Sequence, residues 1–108
     1  MNTTGFIRGY MAKNLEGEKF LNHVIEVIEK QLQEWNENYK IEVTKTEGYS
    51  LSVQDSTQTA KISISNSLLE SLQLQSPYSL DRYIWIELKE NGVEIGDAND
   101  NYLDYVFR

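Results

Sequence analysis

The 108-residue sequence predicts an α+β domain in which a long N-terminal amphipathic helix packs on an antiparallel sheet of about five to six strands. Three observations predict this class. Apolar residues recur at helical spacing in the first third of the chain, and the spacing changes to strict alternation after residue 39. An Asn-Gly pair of the kind found in tight β-hairpins follows at residues 91–92. The predicted element order is α-β-β-β-α-β-β-β, within one domain that covers residues 1–108.

The predicted long helix runs from Leu15 to about Trp35. Its apolar residues follow the i, i+3, i+4, i+7 spacing of one helical face, namely Leu21, Val24, Ile25, Ile28, Leu32 and Trp35. Asn14 is the expected N-cap, because an Asn side chain can accept a hydrogen bond from the first helical turn. Residues 1–13 are expected to form either an edge strand or a flexible arm.

A three-stranded meander is predicted after the helix. Apolar and polar residues alternate over 39–44 and 49–54 and again at 62–64, with turns at Glu47-Gly48 and Asp55–Gln58. The Ser, Thr and Lys positions of this alternation indicate a sheet face in water. The opposite face is therefore expected to pack against the helix.

A short helix is predicted over Ser65–Ser76. The segment that follows, residues 82–97, has two interpretations. As a helix, this segment is capped by Ser79 and ends at Gly92. As a hairpin, it turns at Asn91-Gly92, and the register that pairs Glu90 with Val93 puts five apolar residues on one face. These residues are Ile84, Ile86, Leu88, Val93 and Ile95. We expect the hairpin, followed by a final strand over Asn101–Phe107 that completes the sheet.

The composition excludes several classes of function. The chain has no Cys, which removes disulfide scaffolds, thiol catalysis and Cys-ligated zinc, and which fits a reducing compartment. The first residues lack the apolar run of a secretory signal, and no segment approaches the roughly 18 apolar residues of a membrane span. The sequence therefore predicts a soluble, cytoplasmic protein, and no motif in it indicates a cofactor.

The charge of the chain is negative and unevenly distributed. The net charge is −7, from 17 acidic and 10 basic residues, and every acid lies beyond residue 15. Such a chain repels phosphate backbones and anionic lipid, so we expect neither a nucleic acid nor a membrane as partner. The acids serve solubility in one interpretation and attract a basic partner in the other.

One candidate metal loop lies near the C-terminus. Positions 1, 3 and 5 of a calcium-binding loop could be Asp97, Asn99 and Asn101. Such a loop needs Gly at position 6 and a bidentate Glu at position 12, and here these positions hold Tyr102 and Arg108. We therefore interpret the stretch as a turn and predict no metal site there.

Residues for nucleophilic or acid–base catalysis are scarce. His23 is the only histidine, and Glu26 is the only acid near it on the same helical face, so a boundary histidine with its hydrogen bonds satisfied is the better interpretation. The six glycines form no G-x-G or G-K-S/T phosphate loop. No catalytic residue is predicted.

Aromatic residues concentrate in the last third of the chain. In the hairpin register Tyr83 and Trp85 point away from the apolar face, so they could form an aromatic patch ringed by acids if that sheet face is open to water. The predicted contact residues are Tyr83, Trp85, Glu87, Asp100, Tyr102, Asp104 and Tyr105. Tyr and Trp are typical anchors of protein interfaces. The alternative is that the short helix covers this face and the rings belong to the core.

Three functions follow as hypotheses. The leading one is a small acidic, non-enzymatic protein-binding module, such as an inhibitor, an immunity-type protein or another regulator of a basic protein. The second is a small-ligand or hydrolytic enzyme that uses carboxylates and tyrosines in a cleft between helix and sheet. The third is a structural homodimer that pairs through the edge of the final strand.

Overall fold

The structure is a computed structural model that describes residues 5–98 and 101–108. Within these ranges the chain is an α+β protein with a three-stranded antiparallel sheet in the order β1-β2-β3. The elements are α1 (Gly5–Asn14), α2 (Gly17–Trp35), β1 (Lys40–Lys45), β2 (Tyr49–Gln54), β3 (Thr59–Ile64), α3 (Asn66–Gln75), α4 (Ser79–Glu90) and α5 (Tyr102–Val106).

The predicted architecture is wrong at the N-terminus, because two helices and not one long helix precede the sheet. Residues 5–14 form α1, where the sequence left an edge strand or an arm open. The predicted cap Asn14 ends α1, and its amide donates to the Tyr10 carbonyl at 2.8 Å. The residue before α2 is Glu16. The break is stabilised by Gln73 of α3, whose amide donates to two carbonyls at the end of α1, those of Ala12 and Leu15, at 2.9 and 2.8 Å.

The predicted hairpin over 82–97 is also wrong. Ser79–Glu90 is helix α4, because Leu80, Ile84 and Leu88 recur at i, i+4 and i+8 and are all fully buried. Gly92 has φ 91° and ends the helix. The N–H of Val93 donates to the Leu88 carbonyl and that of Gly92 to the Lys89 carbonyl, which is the Schellman arrangement. Asn91-Gly92 is thus a helix cap and not a hairpin turn.

The final strand predicted over 101–107 is the short helix α5. With it and the hairpin gone, the sheet has three strands in the described ranges and not five to six. The homodimer predicted through the edge of that strand therefore loses its pairing element.

The meander itself has the predicted antiparallel pairing. Leu51 lies opposite both Val43 of β1 and Ile62 of β3. Inward residues of β2 and β3 are buried in strict alternation. β1 is different, because Val43 on the same sheet face remains 38% exposed.

The core lies between the sheet and two helices. α2 contacts β1 and α4 contacts β3, so together they cover one sheet face, while α3 packs on both helices and α1 packs on α3. The α2 residues Phe20, Leu21 and Ile28 are fully buried against this face. The hydroxyl of Ser65 caps α3 by accepting the N–H of Leu68 at 3.1 Å. In the part of the chain that the structure describes, no helix combines the length and apolar character needed to cross a membrane.

Candidate functional site

The predicted aromatic–acidic patch does not form a continuous surface. Trp85 is 0% and Tyr102 is 4% exposed, so both rings belong to the core. Tyr83, Glu87 and Tyr105 are half-buried, whereas Asp104 is exposed. Asp100 lies outside the described residues. Because these residues lie in helix α4 and not in a strand, Tyr83 and Glu87 are one turn apart on the same face. Trp85 points away from them into the protein.

What the structure brings together instead is a buried polar network. The Arg8 guanidinium of α1 forms an ion pair with Oδ1 of Asp81 in α4, and both side chains are fully buried. The Tyr102 hydroxyl of α5 donates to Oδ2 of the same carboxylate. Trp85 Nε1 donates to the Tyr102 hydroxyl oxygen at 3.2 Å. One carboxylate thus connects α4 to α5, the next helix in the chain, and to α1 at the other end of the sequence.

A stack of rings and guanidinium groups lies beside this network. Arg8 Cζ is 4.7 Å from the centre of the Tyr78 ring, and Tyr78 stacks on Tyr105 with centroids 5.7 Å apart and planes 8° from parallel. Arg108 Cζ lies 4.6 Å from the centre of the Tyr105 ring. Each contact places a cation or a ring on a π face, which favours the stack. The stack joins the start of α4 to α1 on one side and to the C-terminal segment on the other.

Burial changes the proton affinity of this network. Burial raises the pKa of Asp81, and the Arg8 charge and the hydrogen bonds from Arg8 and Tyr102 offset part of that rise. Burial and the nearby Asp81 carboxylate raise the pKa of Tyr102 well above that of a free tyrosine. Perturbed acids of this kind are typical of active sites. Here, however, the Asp81 carboxyl and the Tyr102 hydroxyl are both sealed from solvent, so no substrate can reach them. We therefore interpret the network as structural.

His23 lies at the boundary of the core, as the sequence predicted, but the prediction that its hydrogen bonds are satisfied is wrong for the described residues. It is half-buried, and its Nε2 atom has no hydrogen-bond partner among the described residues. Burial first, and then the positive charge of Arg8, lower its pKa.

Metal-ligating residues do not converge in the described ranges. No group of three or more His, Asp or Glu side chains is placed to hold an ion there. In the candidate calcium loop, the backbone carbonyl of Asp97 accepts a hydrogen bond from Trp35 Nε1 at 2.6 Å. The second loop residue, Asn99, lies outside the described residues.

Several grooves open on the surface of the described residues. An apolar groove of about 670 Å³ lies between the end of α4 and Phe107, with Val93 and Ile95 in its wall. A polar hollow of about 610 Å³ lies between the β1–β2 turn and the start of α3. A smaller cleft of about 280 Å³ separates α2 from α3 and contains Glu18, Glu70 and Tyr49.

The smaller cleft brings two carboxylates and a tyrosine to one hollow. Glu18 also forms an ion pair with Lys45 of β1 at 3.6 Å.

The outward face of α1 is the most exposed apolar surface in the described ranges. Phe6 is 85%, Tyr10 is 66% and Ile7 is 46% exposed. Phe6 and Tyr10 are four residues apart and so lie on one stripe, while Arg8 and Ala12 are buried on the other side. Sequence reasoning missed this face because residues 1–13 were not assigned a helix. Its signal was the i, i+4 spacing of the two rings.

Comparison with known proteins adds no relative. No family model matches the chain, no curated protein sequence is significantly similar to it, and no solved structure shares its fold at a significant level.

Proposed function

We propose that this chain is a small acidic, non-enzymatic binding module for a basic protein in the cytoplasm, and that the outward face of α1 is its contact. The observation that carries the proposal is the exposure of Phe6 and Tyr10 on one helical stripe. Rings of this size are seldom left in water, and they act as anchors when a partner covers them. The absence of Cys supports a reducing compartment.

Charge supports a basic partner. The chain carries −7 overall, whereas α1 has no acid and its one exposed cation is Lys13. An apolar contact on an acidic molecule favours a partner whose surface is cationic around an apolar patch, because opposite potentials speed encounter and reject acidic competitors. Association should therefore weaken as salt rises.

Site-specific photo-crosslinking in the source cells tests this proposal. A benzophenone side chain is placed at Phe6 or at Tyr10, and the matched control is Leu74 of α3, which is 74% exposed. We expect one basic protein to crosslink from positions 6 and 10 and not from 74. The crosslinking yield from position 6 should fall at least tenfold when Tyr10 is replaced by Ala, and the yield from position 10 should fall as much when Phe6 is replaced by Ala. Crosslinks from 74 alone, or to acidic proteins only, would refute the proposal.

The cleft that holds Glu18, Glu70 and Tyr49 favours a second function, a hydrolytic enzyme of the carboxylate type. Two carboxylates and a phenol could act as acid, base and hydrogen-bond donor on a small substrate. The test is a panel of chromogenic esters, glycosides and phosphates, with Glu18→Gln and Glu70→Gln as variants. Turnover abolished by both substitutions would establish this function in place of the first.

A further inference from the structure

The Asn91-Gly92 pair at the end of α4 is chemically labile, and it is the one Asn-Gly in the sequence. In such a pair the backbone nitrogen of the glycine can attack the side-chain amide carbon of the asparagine, because glycine has no side chain to block the approach. Both residues are exposed to water, and a Cβ built on Gly92 would meet no heavy atom within 4 Å. Crowding therefore does not restrain the reaction.

The helix cap holds both reacting groups instead. The side-chain amide of Asn91 donates to the Glu87 carbonyl at 2.7 Å. The Gly92 N–H donates to the Lys89 carbonyl at 3.1 Å. The following N–H, that of Val93, donates to a carbonyl one turn earlier in α4 at 3.0 Å. These bonds fix the side chain and the peptide group that would have to meet.

The backbone angle at Asn91 also keeps the reacting atoms apart. Attack closes a five-membered ring, so the Gly92 nitrogen must lie on the Cβ side of Asn91. With ψ at 9°, that nitrogen is nearly eclipsed with the backbone nitrogen of Asn91, about 120° away from Cβ in rotation around the Cα–C bond. Rotating the peptide group far enough turns the Gly92 N–H away from the Lys89 carbonyl. The ring can therefore close only after the cap has opened.

We propose that Asn91 is a deamidation site that the cap of α4 protects, and that its conversion keeps the cap open. The Gly92 nitrogen forms a bond to Cγ of Asn91, the Cγ–Nδ2 bond breaks, and ammonia leaves with the proton of the Gly92 N–H. Water then hydrolyses the cyclic imide at either carbonyl, and the product is an aspartyl or an isoaspartyl residue. No oxidant or reductant takes part.

Either product weakens the end of α4. The new carboxylate lies at the helix C-terminus, where the helix dipole disfavours an anion, and the amide that donated to the Glu87 carbonyl is gone. An isoaspartyl residue also adds one carbon to the main chain, so the Gly92 and Val93 N–H groups no longer reach both of their carbonyls together. Val93 is 3% exposed and forms the wall of the apolar groove with Ile95 and Phe107, so the modification loosens that wall.

Mass spectrometry of the full chain, followed by peptide mapping, tests the protection. The chain is incubated at mildly alkaline pH, once folded and once unfolded in urea. Conversion at Asn91 adds a mass of about 1 Da, and we expect it to be at least tenfold faster in urea. Equal rates in the two states would overturn the proposal, and so would an unfolded chain that does not convert at Asn91.

Two valine substitutions distinguish opening of the cap from unfolding of the whole chain. Val93→Ala removes a buried contact beside the cap, and the matched control Val53→Ala removes the same atoms from β2, where Val53 is 1% exposed. Urea midpoints measure the global loss of stability in each variant. We expect the folded Val93→Ala chain to convert at least threefold faster than the folded Val53→Ala chain. Equal rates, or a faster rate in the control, would contradict opening at the cap.

The converted chain tests the consequence for α4. It carries one more negative charge and is separated from the unconverted chain by ion exchange. Amide hydrogen exchange at Val93 should be at least tenfold faster in the converted chain, whereas exchange in β2 should stay the same. Unchanged exchange at Val93, or an equal rise in β2, would show that conversion does not open the cap and would overturn that part of the proposal.

Discussion

Removing one member of the buried Arg8–Asp81 pair is expected to cost more than any surface substitution. In Arg8→Met the Asp81 carboxylate keeps the Tyr102 hydrogen bond but loses the Arg8 cation, and both side chains of the pair are fully buried. Breaking such a pair from one side costs about 3–5 kcal/mol, because the remaining group either stays charged in a low-dielectric interior or, for Asp81, must take up a proton. A domain of this size is stable by roughly 5–15 kcal/mol, so either Arg8→Met or Asp81→Leu should remove a large share of its stability.

The double variant separates the value of the pair from the cost of an orphaned charge. Arg8→Met with Asp81→Leu removes both charges of the pair, and the main loss is the acceptor of the Tyr102 hydroxyl, about 1–2 kcal/mol. The coupling energy between the two substitutions should therefore be roughly 4 kcal/mol or more in favour of the double variant.

The assay is urea unfolding followed by circular dichroism and by the fluorescence of the tryptophans, with linear extrapolation to water. The control is Lys30→Met, which breaks an exposed ion pair with Glu26 at 3.4 Å and should cost less than about 0.5 kcal/mol. The reasoning fails if each single variant costs under about 1 kcal/mol, or if the double variant costs the sum of the two singles.

Three further predictions concern His23 and two glycines. Since burial lowers the pKa of His23 from 6.5, its contribution to stability is complete above pH 6.5 and is lost as pH falls through the lowered value. Urea midpoints between pH 7.5 and 5 should show this loss, and His23→Gln should reduce the slope. Gly92→Ala, at φ 91°, should cost about 1 kcal/mol through the strained helix cap. The Gly92→Ala substitution should lower the melting temperature by several degrees. An unchanged melting temperature would contradict the claim that the end of α4 requires a positive φ at this residue. Gly48→Ala puts a Cβ 2.6 Å from the Ile64 carbonyl oxygen and should cost about 1–3 kcal/mol by the same measurement. A Gly48→Ala variant as stable as the wild type would show that the β1–β2 turn and the end of β3 move apart easily.

The sequence predicted elements whose pattern is local. The apolar stripe of α2 repeats over about four turns, and only a helix places such residues on one side. The alternation in β2 and β3 is equally strict. For these segments the periodicity alone distinguishes helix from strand. The helical pattern in α2 continues too long to fit a strand, and the alternation in β2 and β3 does not fit a helix.

The sequence failed where one pattern fits two structures. Ile84, Ile86 and Leu88 alternate as in a strand, yet Leu80, Ile84 and Leu88 repeat as in a helix, and Asn-Gly serves both a hairpin and a helix cap. The predicted contact surface depended on the strand and was lost with it. Leu80, one turn before Ile84, was the signal for the helix.

By itself the sequence determined the acidity, the lack of cysteine chemistry, the stripe of α2, the meander and α3, since each is a property of composition or of neighbouring residues. Tertiary structure decided that α4 is a helix and that Trp85 and Tyr102 are core. It also decided that α1 presents its rings outward. The physical reason is that Arg8 and Asp81, 73 residues apart, are stable in the interior only as a pair. No local pattern records a contact between residues so distant in the chain.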